Sequence, residues 1–214
     1  RARAGRRRRP AVRPGLTCDE VNVGFGRAEL ESFRDATVPD MVGPGLKLLF
    51  VGINPGLWTA AAQTHFADPG NRFYPALLKA GIIERDIDRS AGMSDADRNY
   101  FLERGLGITN VVGRATAKAS ELSRDELRKG GEQLRAFVAH HRPNVVAVAG
   151  ITAYRDAFGR PKATMGRQDE TLGGVELWVV PNPSGLNAHE TVDSLAEAYR
   201  APALAAGLDL RPST

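Results

Sequence analysis

Short apolar runs alternate along this chain with longer stretches of mixed polarity. Lys47-Leu48-Leu49-Phe50-Val51-Gly52 is the first, ended by Gly52 and, three residues on, by Pro55. A run apolar at nearly every position and too short for a helix is the pattern of a strand buried on both faces. Ile108 to Val112, Val145 to Gly150 and Val175 to Val180 repeat it, the last stopped by Pro181. Helix signals lie between these runs. Asn71 is placed to cap a helix through Phe73, Leu77 and Leu78 that ends at Gly81, and Ser94 to cap another reaching Arg104. Ser123-Arg124-Asp125-Glu126 is a capping box. It opens a long helix with Leu127, Leu134, Phe137 and Val138 as apolar positions and Pro143 as its stop. Further helices are expected over Ile151 to Phe158 and from His189 to Leu204. Residues 1–42 have no sustained apolar period and read as a basic, flexible arm and lead-in, with the folded domain over 43–210.

Strands alternating with helices imply crossover connections and parallel pairing. The expected fold class is therefore α/β: a three-layer α/β/α sandwich around a central, mainly parallel sheet of four to five strands. Ligands bind such sheets outside the carboxyl ends of the strands. Two loops fall there: Gly52-Ile53-Asn54-Pro55-Gly56 after the first strand, and Pro181-Asn182-Pro183-Ser184-Gly185-Leu186-Asn187 after the last. Each holds an asparagine before a proline, which biases the asparagine to extended geometry on a stiff turn. An uncharged carboxamide presents one acceptor and two donor hydrogens. It can orient a water or read the edge of a base, but is not a useful general base by itself. The same residues are also ordinary turn formers that satisfy their own backbone.

Composition narrows the field. The chain has 214 residues, 42% hydrophobic and 25% charged, enough for one domain with an ordinary core. The single cysteine, Cys18, excludes a disulfide framework, a CxxC pair and a cysteine-ligated zinc or iron-sulfur site, and makes a cytoplasmic setting the expectation. No apolar stretch approaches the roughly 18 residues of a membrane span, so no membrane partner is expected. The net charge of +4 is unevenly placed: seven arginines from Arg1 to Arg13 precede the first acid, Asp19, which leaves residues 14–214 at −3. Such an arm tracks nucleic-acid phosphates by counterion release or is a solvated tail. Neither GxxxxGK[ST], GxSxG nor HExxH occurs. His140 and His141 are adjacent at a helix end, where the dipole accounts for them better than a metal does.

The two loops resemble the signature loops of the mismatch-specific uracil-DNA glycosylases, bacterial relatives of thymine-DNA glycosylase within the uracil-DNA glycosylase superfamily. The carrying residues are Gly52-Ile53-Asn54-Pro55-Gly56 and Asn182-Pro183-Ser184-Gly185-Leu186. Pro44-Gly45-Leu46, Phe66-Ala67-Asp68-Pro69-Gly70-Asn71-Arg72-Phe73 and Glu197-Ala198-Tyr199-Arg200 extend the match over residues 39–207. What the resemblance implies is a monofunctional hydrolase that flips uracil out of DNA, favouring G:U mismatches, and cleaves its N-glycosidic bond to leave an abasic site. Such an enzyme needs no metal or cofactor and acts as a monomer on double-stranded DNA, single strands being an open alternative.

By the same resemblance Asn54 positions the attacking water, while Ile53, Gly56, Thr59 and Asn182 shape the uracil pocket. Phe66 stacks on the flipped base, its alternative being a plain core residue. Leu186 is the wedge that fills the gap in the duplex, Gly185 and Asn187 approach the opposite strand, and Asn182 and Ser184 hold the loop and meet phosphate near the lesion. The chain departs from the family pattern in places. Ala188 and His189 stand where many members carry an arginine, and Thr59 where some have serine. Other branches carry an aspartate in the first loop where this chain has Asn54, which makes Asp68 a candidate carboxylate for orienting water or stabilising a sugar cation. Its other reading is an Asp-Pro-Gly turn. No lysine lies in either loop, so a Schiff-base step is not expected. Two alternatives stay open: a damage-recognition module without effective chemistry, and an enzyme of free nucleosides.

Overall fold

The apolar runs assemble into one five-stranded sheet, described over residues 24–89 and 91–211 by a computed structural model of the chain. The arginine arm and Cys18 lie outside the described residues. Strands β1 (Leu48–Gly52), β2 (Leu106–Asn110), β3 (Val145–Ala149), β4 (Gly166–Leu172) and β5 (Val175–Val180) are ordered β2-β1-β3-β5-β4. All neighbouring pairs are parallel except β4 against β5. This is the expected α/β sandwich with a mainly parallel sheet.

Two apolar layers follow from the period of two. Leu48 and Phe50 point to one face, where they meet Phe73, Tyr74, Leu195 and Tyr199; Leu49 and Val51 point to the other, against Leu134, Val138 and Tyr154. The first face is covered by α3 (Phe73–Lys79), α4 (Asp95–Glu103) and α7 (Val192–Ala205), the second by α5 (Arg124–His141) and α6 (Ile151–Phe158). Ser94 and Ser123 cap as expected, accepting from the amides of Asp97 and Glu126. Asn71 acts one position outside its expected place: Arg72 is the N-cap, while Asn71 Oδ1 accepts from the Phe73 amide. The final helix begins at Val192 rather than His189, because Thr191 supplies the cap. Strand β2 lies two residues earlier than its apolar run suggests.

Three elements carry no clear pattern in the sequence. Strand β4 reads Gly-Arg-Gln-Asp-Glu-Thr-Leu and alternates between partly buried and exposed positions, as an edge strand does. Helix α2 (Leu57–Ala62) is six residues long, and α1 (Arg27–Glu31) five. The lead-in is also corrected. From Gly24 onward it packs on the body: Val38 and Met41 are buried, Phe25 sets its ring edge against Trp58, and Met41 and Thr37 bridge to Ile108 and Arg114. The folded domain thus begins well before residue 43. Among the described residues no helix is long and apolar enough to cross a membrane.

The register sets up the functional end. Gly52 pairs with Asn110, Val51 with Val148, and Ala149 with Val180, so four strands finish level with one another.

Candidate active site

A cavity of about 680 Å³ opens beyond these strand ends. It gathers ten of the eleven residues expected at the site: Ile53, Asn54, Gly56, Thr59, Phe66, Asp68, Asn182, Ser184, Gly185 and Leu186. Asn187 stays outside its lining. Five polar residues that the sequence did not single out join them: His65, Asn110, Thr116, Lys118 and Ser120.

Asn54 is held in one orientation. Its Nδ2 donates toward the carbonyls of Pro55 and Arg114, at 3.1 and 3.0 Å, and to Thr116 Oγ1 at 2.8 Å. Carbonyls only accept, so the amide nitrogen must be the atom on that side. The Thr116 hydroxyl sends its own proton to the Lys118 carbonyl and turns a lone pair to Asn54. Oδ1 is therefore left as the acceptor on offer, with no protein partner among the described residues. The loop beneath is tied to the next one, since Val111 and Val112 donate to the carbonyls of Gly52 and Ile53.

His65 and Asn110 form a second fixed pair. His65 is buried, and desolvation lowers its pKa from the ordinary value near 6.5, which favours the neutral ring. Nε2 lies 3.0 Å from the Pro39 carbonyl and so carries the proton, leaving Nδ1 to accept from Asn110 Nδ2 at 3.3 Å. The Asn110 carboxamide is oriented in turn, with Nδ2 on the histidine side. Gly52 makes room for it: a Cβ there would sit 2.5 Å from Asn110 Oδ1. Asn110 had no signal in the linear sequence beyond lying inside an apolar run. Only the parallel register with β1 brings it to the cavity.

Phe66 combines both of its expected readings. One face stacks on Phe73, with ring centroids 4.1 Å apart and planes 27° apart, while the residue also lines the cavity. Its φ of +56° lies in the left-handed region, a strain of order 1–3 kcal/mol for a non-glycine residue that clusters at functional sites. Asp68 is exposed and accepts from the Gly70 amide at 2.8 Å, so the turn reading holds for Oδ1, while the residue still lines the cavity mouth. Among the described residues it is the sole carboxylate there.

The loop after β5 is braced by its own side chains. Asn182 Oδ1 accepts from the Ser184 amide, Ser184 Oγ from the Leu186 amide, and Asn187 donates to the Asn182 carbonyl and accepts from the His189 amide. The Asn187 carboxamide is thus spent inside the loop. Leu186 is 87% exposed at the rim. Single exposed leucines are ordinary on protein surfaces; what sets Leu186 apart is its place on a braced turn at the mouth of the cavity.

Comparison with known proteins gives this geometry its family. Residues 39–204 match the Uracil DNA glycosylase superfamily, and the chain belongs to it. The fold is also that of a solution NMR structure of a proposed uracil DNA glycosylase from Methanosarcina acetivorans. The TM-score is 0.53 at 16% identity, covering 78% of this chain and 97% of that one. Membership supports a DNA glycosylase role, with hydrolysis as the reaction and DNA as the partner.

Proposed function

We propose that the protein releases uracil from double-stranded DNA, including G:U mismatches, as a monofunctional glycosylase. The observation that carries this is one cavity holding an oriented Asn54 oxygen, the Phe66 ring and, at its rim, the exposed Leu186. A base inside a duplex is out of reach, so the nucleotide must swing out and the gap must be filled. Leu186 fills the gap and Phe66 offers the stacking face. The C1′–N1 bond then breaks, the electron pair leaves with the base, and an oxocarbenium-like sugar remains. Water held by Asn54 Oδ1 adds at C1′, and the proton it gives up neutralises the departing uracil anion, directly or through solvent.

Base selection fits the pair beside Gly52. Asn110 offers a remaining N–H and an oxygen, which match the carbonyl and adjacent N–H on the edge of uracil. Cytosine presents the opposite pattern. A flipped amide would meet it only by giving up the bond to His65 Nδ1. Thymine shares the uracil edge, so any discrimination against it must come from space at the ring carbon bearing the methyl group. The monofunctional reading extends to Lys118, which reaches the cavity from a third loop. No borohydride-trapped adduct with uracil DNA is expected; trapping abolished in Lys118→Ala would instead identify a Schiff-base step.

The turn role of Asp68 favours one second reading, in which DNA is recognised without effective turnover. Base release from a G:U duplex, set against duplex binding, separates the two. Asp68→Asn sharpens the comparison, because asparagine can keep the bond from the Gly70 amide while losing the charge. Unchanged release removes the carboxylate from the chemistry.

A further inference from the structure

The wedge loop does not stand on its own backbone alone. Arg72, at the start of α3, reaches beneath it: Nη2 donates to the carbonyls of Ser184 and Asn187 at 2.6 and 2.7 Å, and Nη1 to the carbonyl of Glu190. The Arg72 amide also donates to the Pro183 carbonyl at 3.0 Å. Four carbonyls spread over eight residues of loop are thus gathered on one residue. Close backbone contact adds to this, since a Cβ on Gly185 would lie 2.6 Å from the Gly70 carbonyl.

The guanidinium is poorly served for a residue that only stabilises the fold. Its Nε is buried without a hydrogen-bond partner, and no carboxylate pairs with it among the described residues. A buried polar atom left unpaired is costly. The arrangement has one clear product, a rigid loop with Leu186 facing outward. Arg72 also lies six residues after Phe66, on the segment that carries the stacking ring. We infer that Arg72 is a positioning residue for strand insertion, latching the Leu186 loop to the Phe66 segment so that the wedge and the base pocket keep a fixed separation. Arg72 does not line the cavity and acts through Leu186.

This inference rests on the glycosylase reading, and the test keeps the two apart. kcat/KM for uracil release from a G:U duplex is measured for wild type, Arg72→Lys, Leu186→Ala and the double variant, with Arg104→Ala as a control. Arg104 ties the carbonyls of Ile82 and Asp209 together away from the cavity, so its loss reports general destabilisation. Lysine keeps the charge but lacks the planar fork that spans several carbonyls, and it is the variant of choice because Arg72→Ala risks misfolding. Each single variant is expected to lose about 10- to 100-fold, and the double no more than about threefold beyond the worse single, because both remove one function. Losses that multiply, or an equal loss in Arg104→Ala, overturn the latch. If wild type releases no uracil, the glycosylase reading fails instead. The latch is then read from 2-aminopurine placed beside the uracil in the duplex: its fluorescence rises on binding wild type and not Arg72→Lys, and an equal rise overturns it.

Discussion

Single atoms decide what this cavity can do. The Asn54 carboxamide cannot rotate without setting its oxygen against two carbonyls, so the acceptor proposed to hold water is fixed before any substrate arrives. Removing a preorganised group of this kind costs about 10²- to 10³-fold in turnover. Asn54→Ala is expected to fold normally, bind duplex DNA and lose base release by that order; normal turnover would remove the water-positioning role. His65 gives a second, pH-dependent prediction. Its folded pKa lies below the unfolded value near 6.5, so the unfolded state takes up the proton first as pH falls. Its contribution to stability is complete above that value and is lost toward acid. Protonation of Nδ1 also ends its bond to Asn110. Acid unfolding followed by circular dichroism should show wild type losing stability as pH falls below about 6.5. His65→Gln should flatten this dependence, and identical profiles would deny the role.

At the level of elements, loops placed by register do the work that single motifs only suggest. The two Asn-Pro loops were legible because each follows an apolar run that a proline stops, and the structure brings both to one cavity. Asn110 was not legible, because its importance comes from pairing with Gly52 across a crossover of more than fifty residues. Strand β4 escaped notice for a different reason: an edge strand with charged side chains has no apolar alternation to read. The short helix α2 is hidden by its length, and the lead-in by hydrophobic residues too sparse to show a period, though Val38 and Met41 are buried. The register makes a prediction of its own. Gly52→Ala places a methyl group 2.5 Å from Asn110 Oδ1 and displaces the proposed base-reading amide. Uracil release should fall at least tenfold with little change in duplex binding, and a variant with wild-type turnover would exclude Asn110 from base reading. The capping box is a purely structural counterpart. Ser123→Ala should cost about 0.5–2 kcal/mol in chemical denaturation and leave turnover per folded molecule unchanged.

Across the whole molecule, charge and chemistry are separated along the chain. The body from residue 14 carries a net −3, and the seven arginines that make the protein basic all precede it. If that segment tracks phosphates, removing residues 1–13 should weaken duplex binding and reduce the salt slope by roughly 0.9 for each phosphate that is no longer neutralised. Equal affinity and equal slope at low salt would leave the arginines without a role in binding. Chemistry should be untouched in either case, because among the described residues the cavity is lined by positions between 52 and 186. Membership of the uracil DNA glycosylase superfamily sets the reaction class. Within that class, the proposal pairs a water site at Asn54 with an edge-reading Asn110 that is held by the buried His65. The most direct measurement is base release from duplexes carrying one uracil opposite guanine or adenine, and from the same strand alone, with wild type and Asn54→Ala in parallel. Wild type is expected to release uracil from the G:U duplex, and the variant to do so about 10²- to 10³-fold more slowly; tight duplex binding by wild type with no release of uracil would contradict the glycosylase reading.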